Sequence, residues 1–180
     1  DLSAIAKGYA VDRVCAALDE AGYRNYMVEV GGEVRTSGVN GEGIPWRIGI
    51  INPDPYHGEV EVVVPMSGWS LATSGDYRNF YERNGVRYSH TIDPRTGRPI
   101  THNLASVSVI HKQCALADGY ATALMVMGPE NGLKWAEEND IIAFFIVREA
   151  ERRFRDVATS DFNAYMAEYG PQERSSEERR

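Results

Sequence analysis

ALADGYATALMVMG, residues 115–128, is the stretch on which the fold turns. It is an apolar run of helical length with one polar stripe: Asp118 and Thr122 stand four apart, so on a helix they lie one above the other. Leu116, Leu124, Met125 and Met127 are expected to pack around them in a buried helix. A carboxylate there must be paired, hydrogen-bonded or metal-bound, because an isolated charge taken out of water is very costly. Two readings follow. In one, Asp118 caps a neighbouring backbone and Thr122 bonds back to its own helix. In the other, these two hard oxygen donors hold a magnesium ion whose remaining positions go to water and a phosphorylated ligand. The pair taken alone favours the first.

Working outward, residues 105–110 form a strand that leads into this helix, residues 133–138 continue a helical pattern after it, and residues 141–147 are an apolar strand. Residues 154–169 fit either element. Far upstream, Ala10, Val14, Ala17, Leu18 and Ala21 recur at helical spacing over residues 3–21, with Asp1 or Ser3 to cap the start and Gly22 after the end. Tyr26, Val28 and Val30 alternate as a strand running into Gly31-Gly32. Residues 46–51 and 60–64 read as a hairpin, residues 69–73 as a short strand, and Asn84-Gly85 as the tight turn between residues 80–81 and 86–88. Hairpins bracketed by an early helix and a late helical pair predict an α+β domain with an antiparallel sheet and packed helices. That domain is expected to span residues 1–169. The polar tail 170–180 has no apolar anchor and is expected to be disordered.

The composition is that of a globular domain with a sizeable core, 43% hydrophobic and 25% charged over 180 residues. No apolar run approaches the ~20 residues of a membrane-spanning helix. A net charge of -7, without a Lys/Arg stripe interleaved with aromatics, argues against a nucleic-acid partner. Cys15 and Cys114 lack the spacing of a zinc site or a redox pair. The chain opens directly on a helix start, with no initiator Met, signal peptide or leader, so a truncated or processed piece of a longer protein is expected.

Besides the Asp118/Thr122 stripe, three places carry candidate chemistry. At DLSAIAKG, residues 1–8, a helix start offers free N–H groups and a positive dipole end, and Lys7 adds a full charge, so the segment suits a phosphate. An isolated Lys there is more simply a solvated helix residue. At VEVGGEVR, residues 28–35, the glycines either admit a ligand beside the backbone or form a bulge or turn. In the loop SHTIDPRTGRP, residues 89–99, His90 can take a proton from an incoming hydroxyl, and Arg95 or Thr96 can contact phosphate or carboxylate. His57, His102 and His111 have no metal-site spacing and read as surface or core residues. Phosphate-loop, dinucleotide-fingerprint and serine-elbow motifs are all absent from the sequence.

Taken together and in this order, DLSAIAKGYAVD (residues 1–12), VEVGGEVRTSG (28–38), LATSGDYRNFY (71–81), YSHTIDPRTGRP (88–99) and ALADGYATALMVMG (115–128) resemble the C-terminal portion of the FAD:protein FMN transferases, the ApbE or thiamine-biosynthesis lipoprotein family. The resemblance implies an ApbE-like, T-fold-like architecture truncated at the N-terminus. It implies a magnesium-dependent enzyme that splits the FAD pyrophosphate and joins FMN to a threonine hydroxyl of a target protein, such as a flavinylated redox-complex subunit, releasing AMP. By residue, it implies metal ligation by the Ala4 carbonyl, the Asp118 carboxylate and the Thr122 hydroxyl, FAD contacts by Asp1 and Lys7, and a flavin site lined by backbone around Ile110. His90 matches the base proposed for the acceptor threonine. The family's N-terminal half, with residues that cover flavin and adenine, has no counterpart here, so these 180 residues alone are expected to bind FAD poorly. By resemblance, a periplasmic site or the periplasmic face of a bacterial inner membrane is expected. A flavin carrier that never cleaves FAD, and a pyrophosphatase releasing FMN and AMP to water, are the alternatives.

Overall fold

The computed structural model describes residues 2–54, 58–76, 80–83, 86–89, 91–150 and 153–170. Helix α1 (Ser3–Glu20) is followed by strands β1 (Tyr26–Val30), β2 (Glu33–Ser37), β3 (Trp46–Ile51), β4 (Val60–Met66) and β5 (Ser70–Gly75). Short strands β6 (Phe80–Arg83), β7 (Val86–Ser89), β8 (Ile92–Asp93) and β9 (Arg98–Pro99) come next. The chain closes with β10 (Leu104–His111), α2 (Cys114–Met127), α3 (Pro129–Glu138), β11 (Ile142–Ala150), β12 (Arg153–Ala158) and α4 (Ser160–Tyr169).

Six strands form one sheet in the order β1-β2-β5-β10-β11-β12, and every neighbouring pair is antiparallel. Successive side chains of a strand point to opposite faces, and the sequence supplies apolar residues for both. On one face Ala72, Val107, Val109, Ala143, Phe145 and Val147 pack against Ala117, Ala121, Leu124 and Met125 of α2 and Ala136 of α3. On the other, Leu71, Ile110, Phe144 and Ile146 meet Ile50, Val64 and Met66 of the β3–β4 hairpin and Phe162 and Tyr165 of α4. Burial on both faces is why β10 and β11 read as near-continuous apolar or small runs instead of alternating ones. The result is a helical layer, a sheet, and a second layer of hairpin plus helix.

The α+β architecture, the hairpins at residues 46–66 and 80–89, and α1, α2 and α3 agree with the sequence reading. Three local expectations change. Strand β2 went unread, because Glu33, Arg35 and Thr36 put polar groups where a sheet strand ordinarily shows apolar ones; Glu33 and Thr36 are nevertheless buried. Residues 154–169 divide into β12 and α4 at Thr159. Leu116 does not pack beside Asp118: it is 40% exposed. The turn at 84–85 and the tail 171–180 lie outside the described residues.

Thr159 shows how the division is held. Its fully buried hydroxyl accepts the Ala143 N–H at 3.0 Å and the Phe162 N–H at 3.3 Å, and donates to the Ile141 carbonyl at 2.9 Å, so it caps α4 and ties it to β11. Replacing the hydroxyl with a methyl leaves the two amides without that acceptor. Thr159→Val is expected to cost about 1–3 kcal/mol of unfolding free energy, read as a lower urea midpoint at unchanged slope.

Candidate functional site

The site begins where α1 crosses α2. Gly8 is buried on the contact face, and a Cβ added there would meet the Cys114 carbonyl and lie 2.8 Å from the Ala115 Cα. Only a residue without a side chain lets the two backbones approach this closely. Asp12, one turn along α1, completes the junction. Its carboxylate accepts the Cys114 N–H at 3.0 Å and the Ala115 N–H at 2.9 Å, and so caps the N-terminus of α2 from a different helix. Arg35 of β2 holds the same carboxylate at 2.6 Å. Cys15 and Cys114 are free thiols buried beside the crossing; burial pushes both up, Cys114 to about 12, so neither is a reactive nucleophile.

With α2 pinned at its first turn, Asp118 faces α1. It is 3% exposed, and its Oδ2 accepts the Gly8 N–H at 3.0 Å. In a regular helix that N–H is aimed at the carbonyl four residues back, which is Ala4. The bond to Asp118 therefore engages the natural partner of the Ala4 carbonyl and sets the carboxylate against the turn that carries it. Removal from water pushes the Asp118 carboxyl up, against the opposing pull of the Gly8 bond and Lys7. Thr122 is one turn further along α2, with its hydroxyl 3.4 Å from the Ser74 hydroxyl of β5.

Ala4, Lys7, Asp118 and Thr122 all line one cavity of about 760 Å³. Its other walls are the Gly31-Gly32 turn, Ile48, Gly49 and Ile51 of β3, Leu71 and residues 73–75 of β5, and Thr91, Ile92 and Pro94. The glycine pair is the β1–β2 turn, with φ of +61° and +102°, as the turn reading of VGGE expects, and it forms part of the cavity wall. Lys7 is no free helix lysine. Its ammonium donates to Glu33 Oε1 at 2.6 Å, with the lysine side chain 45% exposed and the glutamate 2%.

Of the sequence-predicted residues, Ile110 stands in the sheet core as the register partner of Leu71, which itself reaches the cavity. Asp1 and His90 lie outside the described residues, although their neighbours Ser3, Thr91 and Ile92 line the cavity. Arg95, an exposed side chain, makes a two-pronged contact with the Asp93 carboxylate, both bonds at 3.0 Å, and its guanidinium holds that carboxyl below the usual range. Ser74 and Glu33 were missed. Both sit inside quoted motifs, but nothing in their spacing says that one approaches Thr122 and the other Lys7.

The donors at the helix crossing are a carboxylate, a hydroxyl and a main-chain carbonyl. All are hard oxygens, a set that suits magnesium with waters and phosphate oxygens completing the shell. Among the described residues no group of three His, Cys, Asp or Glu side chains forms a metal cluster, so a soft transition-metal site finds no support there.

The comparisons with known proteins bear on this geometry. Residues 1–146 match the model of the ApbE family. The chain belongs to that family. It is 48% identical over 167 residues to an FAD:protein FMN transferase of Vibrio cholerae, covering 93% of this chain and 50% of the relative. It is 40% identical over 166 residues to one of Escherichia coli K12, covering 92% and 47%. Among solved structures, the apo flavinyl transferase ApbE of Pseudomonas stutzeri superposes with a TM-score of 0.81 at 47% identity, over 93% of this chain and 51% of the other. The Thermotoga maritima ApbE protein gives 0.79 at 31%, over 92% and 52%. The chain thus spans about half the length of the relatives it matches, and the α+β fold is that of the family.

Two substitutions test the crossing. Gly8→Ala, which at an exposed helix position would stabilise by ~1 kcal/mol, is expected here to destabilise by roughly 1–3 kcal/mol through overpacking, read by urea unfolding. Asp118→Asn keeps an acceptor for the Gly8 N–H but removes the buried charge. Because the Asp118 pKa is raised on folding, the parent's stability is fullest below the unfolded carboxylate range and falls as pH rises. In metal-free buffer the Asn variant is therefore expected to melt higher than the parent at pH 8, with the gap closing towards pH 4, and to lose any magnesium-induced rise in Tm. A parent that melts no lower than the variant at pH 8 contradicts this placement.

Proposed function

We propose that this chain carries the metal- and phosphate-handling part of an enzyme that transfers FMN from FAD to a threonine hydroxyl of an acceptor protein, releasing AMP. The observation that carries the reading is the convergence of Ala4 and Lys7 from α1 with Asp118 and Thr122 from α2 on one cavity. The relatives named FAD:protein FMN transferase support it.

In the proposed reaction the threonine Oγ attacks the FMN phosphorus, the phosphorus–oxygen bond to the AMP phosphate breaks, and the threonine proton goes to a base, for which His90 is the candidate. Phosphoryl transfer of this kind depends on positioning and charge neutralisation more than on covalent help from the protein. Asp118, Thr122 and the Ala4 carbonyl would hold magnesium, which when bound supplies positive charge to the pyrophosphate oxygens. Lys7 supplies a second positive charge from a fixed position on the cavity wall. The apolar parts of the wall, Ile48, Ile51, Leu71 and Val126, offer surface to the ring systems of the dinucleotide and keep water from the scissile bond. Asp1 and the strand around Ile110 are kept as proposed flavin contacts. A periplasmic location rests on the resemblance alone; no helix among the described residues is long and apolar enough to cross a membrane.

The test is incubation of the protein as encoded with FAD, magnesium and a threonine-containing acceptor peptide, followed by mass spectrometry and nucleotide analysis. The expected result is one FMN on the threonine and one AMP released per transfer, both abolished by Asp118→Ala. FMN and AMP formed equally without peptide would make the protein a pyrophosphatase, and bound but uncleaved FAD would make it a carrier.

A further inference from the structure

Glu33 is the most deeply buried acidic group of the described residues, 1% exposed, and the flavin-transfer reading assigns it nothing. Its Oε1 takes the Lys7 ammonium at 2.6 Å, while its Oε2 is buried with no hydrogen-bond partner. The Gly31-Gly32 turn is shaped to this pair. A Cβ on Gly31 would lie 3.1 Å from the Lys7 Cδ and 3.8 Å from Glu33 Oε2, so the bare backbone leaves room for the lysine stem to cross the turn and reach the carboxylate. Glu29 closes the turn by accepting the Gly32 N–H at 2.9 Å.

The charge balance follows. Among the described residues lining the cavity, Lys7 is the cation, and Glu29 and Asp118 are the anions. Glu33, directly behind Lys7, neutralises that one cation from the protein side. A buried charge is screened far less than an exposed one, so its field reaches into the cavity. A bare pyrophosphate entering here meets one positive group against three negative ones.

We propose that Glu33 makes binding of a pyrophosphate-bearing ligand conditional on a divalent cation: it positions Lys7 on the cavity wall and cancels enough of its charge that Lys7 alone does not hold the ligand. Metal-free dinucleotide is rejected, and the metal complex is accepted. Glu33 is a positioning residue, since it acts through Lys7. The proposal rests on the reading of the cavity as an FAD pyrophosphate site.

The experiment measures equilibrium binding of FAD, and separately of inorganic pyrophosphate, to the protein as encoded at pH 8, with magnesium and with a chelator, for the parent, Glu33→Gln and Glu33→Ala. Glu33→Gln keeps an oxygen for Lys7 and removes one negative charge. It is expected to bind either ligand on the order of tenfold tighter than the parent without metal, with little gain at saturating magnesium. The metal-free gain should shrink as salt rises from about 0.05 to about 0.5 M, since screening weakens charge effects. Glu33→Ala should share the metal-free gain if it keeps a cooperative melt, but with weaker magnesium-dependent binding because Lys7 is no longer held. An unchanged ratio of metal-free to metal-loaded affinity in both variants overturns the proposal, as does equal weakening under both conditions, which would make Glu33 only a structural prop. If the parent binds pyrophosphate but not FAD, the flavin reading fails while the pyrophosphate arm still decides the role of Glu33. If it binds neither, both readings fail.

Discussion

The close crossing of α1 and α2 at Gly8 is the contact on which the rest depends. The missing side chain brings two helix backbones together, Asp12 locks the N-terminus of α2 onto α1 through two amide bonds, and Asp118 reaches back to the Gly8 N–H one turn later. Each bond needs the others. Moving the helices apart by the width of a methyl would stretch all three and leave a desolvated carboxylate without its donor, a state more costly than the loss of one ordinary hydrogen bond.

Around that crossing the layers have distinct tasks. The sheet supplies a rigid floor because β10 and β5 are held by neighbours on both sides, and it places Ser74 against Thr122. The β1–β2 turn supplies a wall without side chains, behind which Glu33 meets Lys7. The β3–β4 hairpin, packed on the opposite sheet face through Ile50, Val64 and Met66, turns Ile48 and Ile51 towards the cavity. Rigid elements thus carry the polar groups, and apolar walls surround them, the usual arrangement of a small-molecule site.

Much of this was legible from residue patterns, for physical reasons. The polar stripe of residues 115–128 announced a buried helix with a face to explain, since the run is of helical length and a spacing of four puts Asp118 and Thr122 on one side of it. The helix over residues 3–21 and the strand over residues 26–30 were equally direct, although the face that helix buries carries Gly8, Val11 and Cys15, while Val14 and Ala17 of the apolar row are exposed. Strand β2 was not legible, because its buried Glu33 and Thr36 are paid for by tertiary partners 26 and 33 residues away in sequence. Leu116 misled because periodicity gives a residue's face and not how far the neighbouring layer extends. Long-range pairing was the common gap: nothing local says that Asp12 caps a helix more than 100 residues later.

The most direct test of the central claim, that α1 and α2 converge to hold a divalent cation, is the anomalous diffraction of manganese in crystals of the protein grown with that ion. The account predicts a peak within about 2.0–2.4 Å of the Ala4 carbonyl oxygen, an Asp118 carboxylate oxygen and the Thr122 hydroxyl. A peak bound elsewhere, or none at those three atoms under saturating manganese, would contradict it.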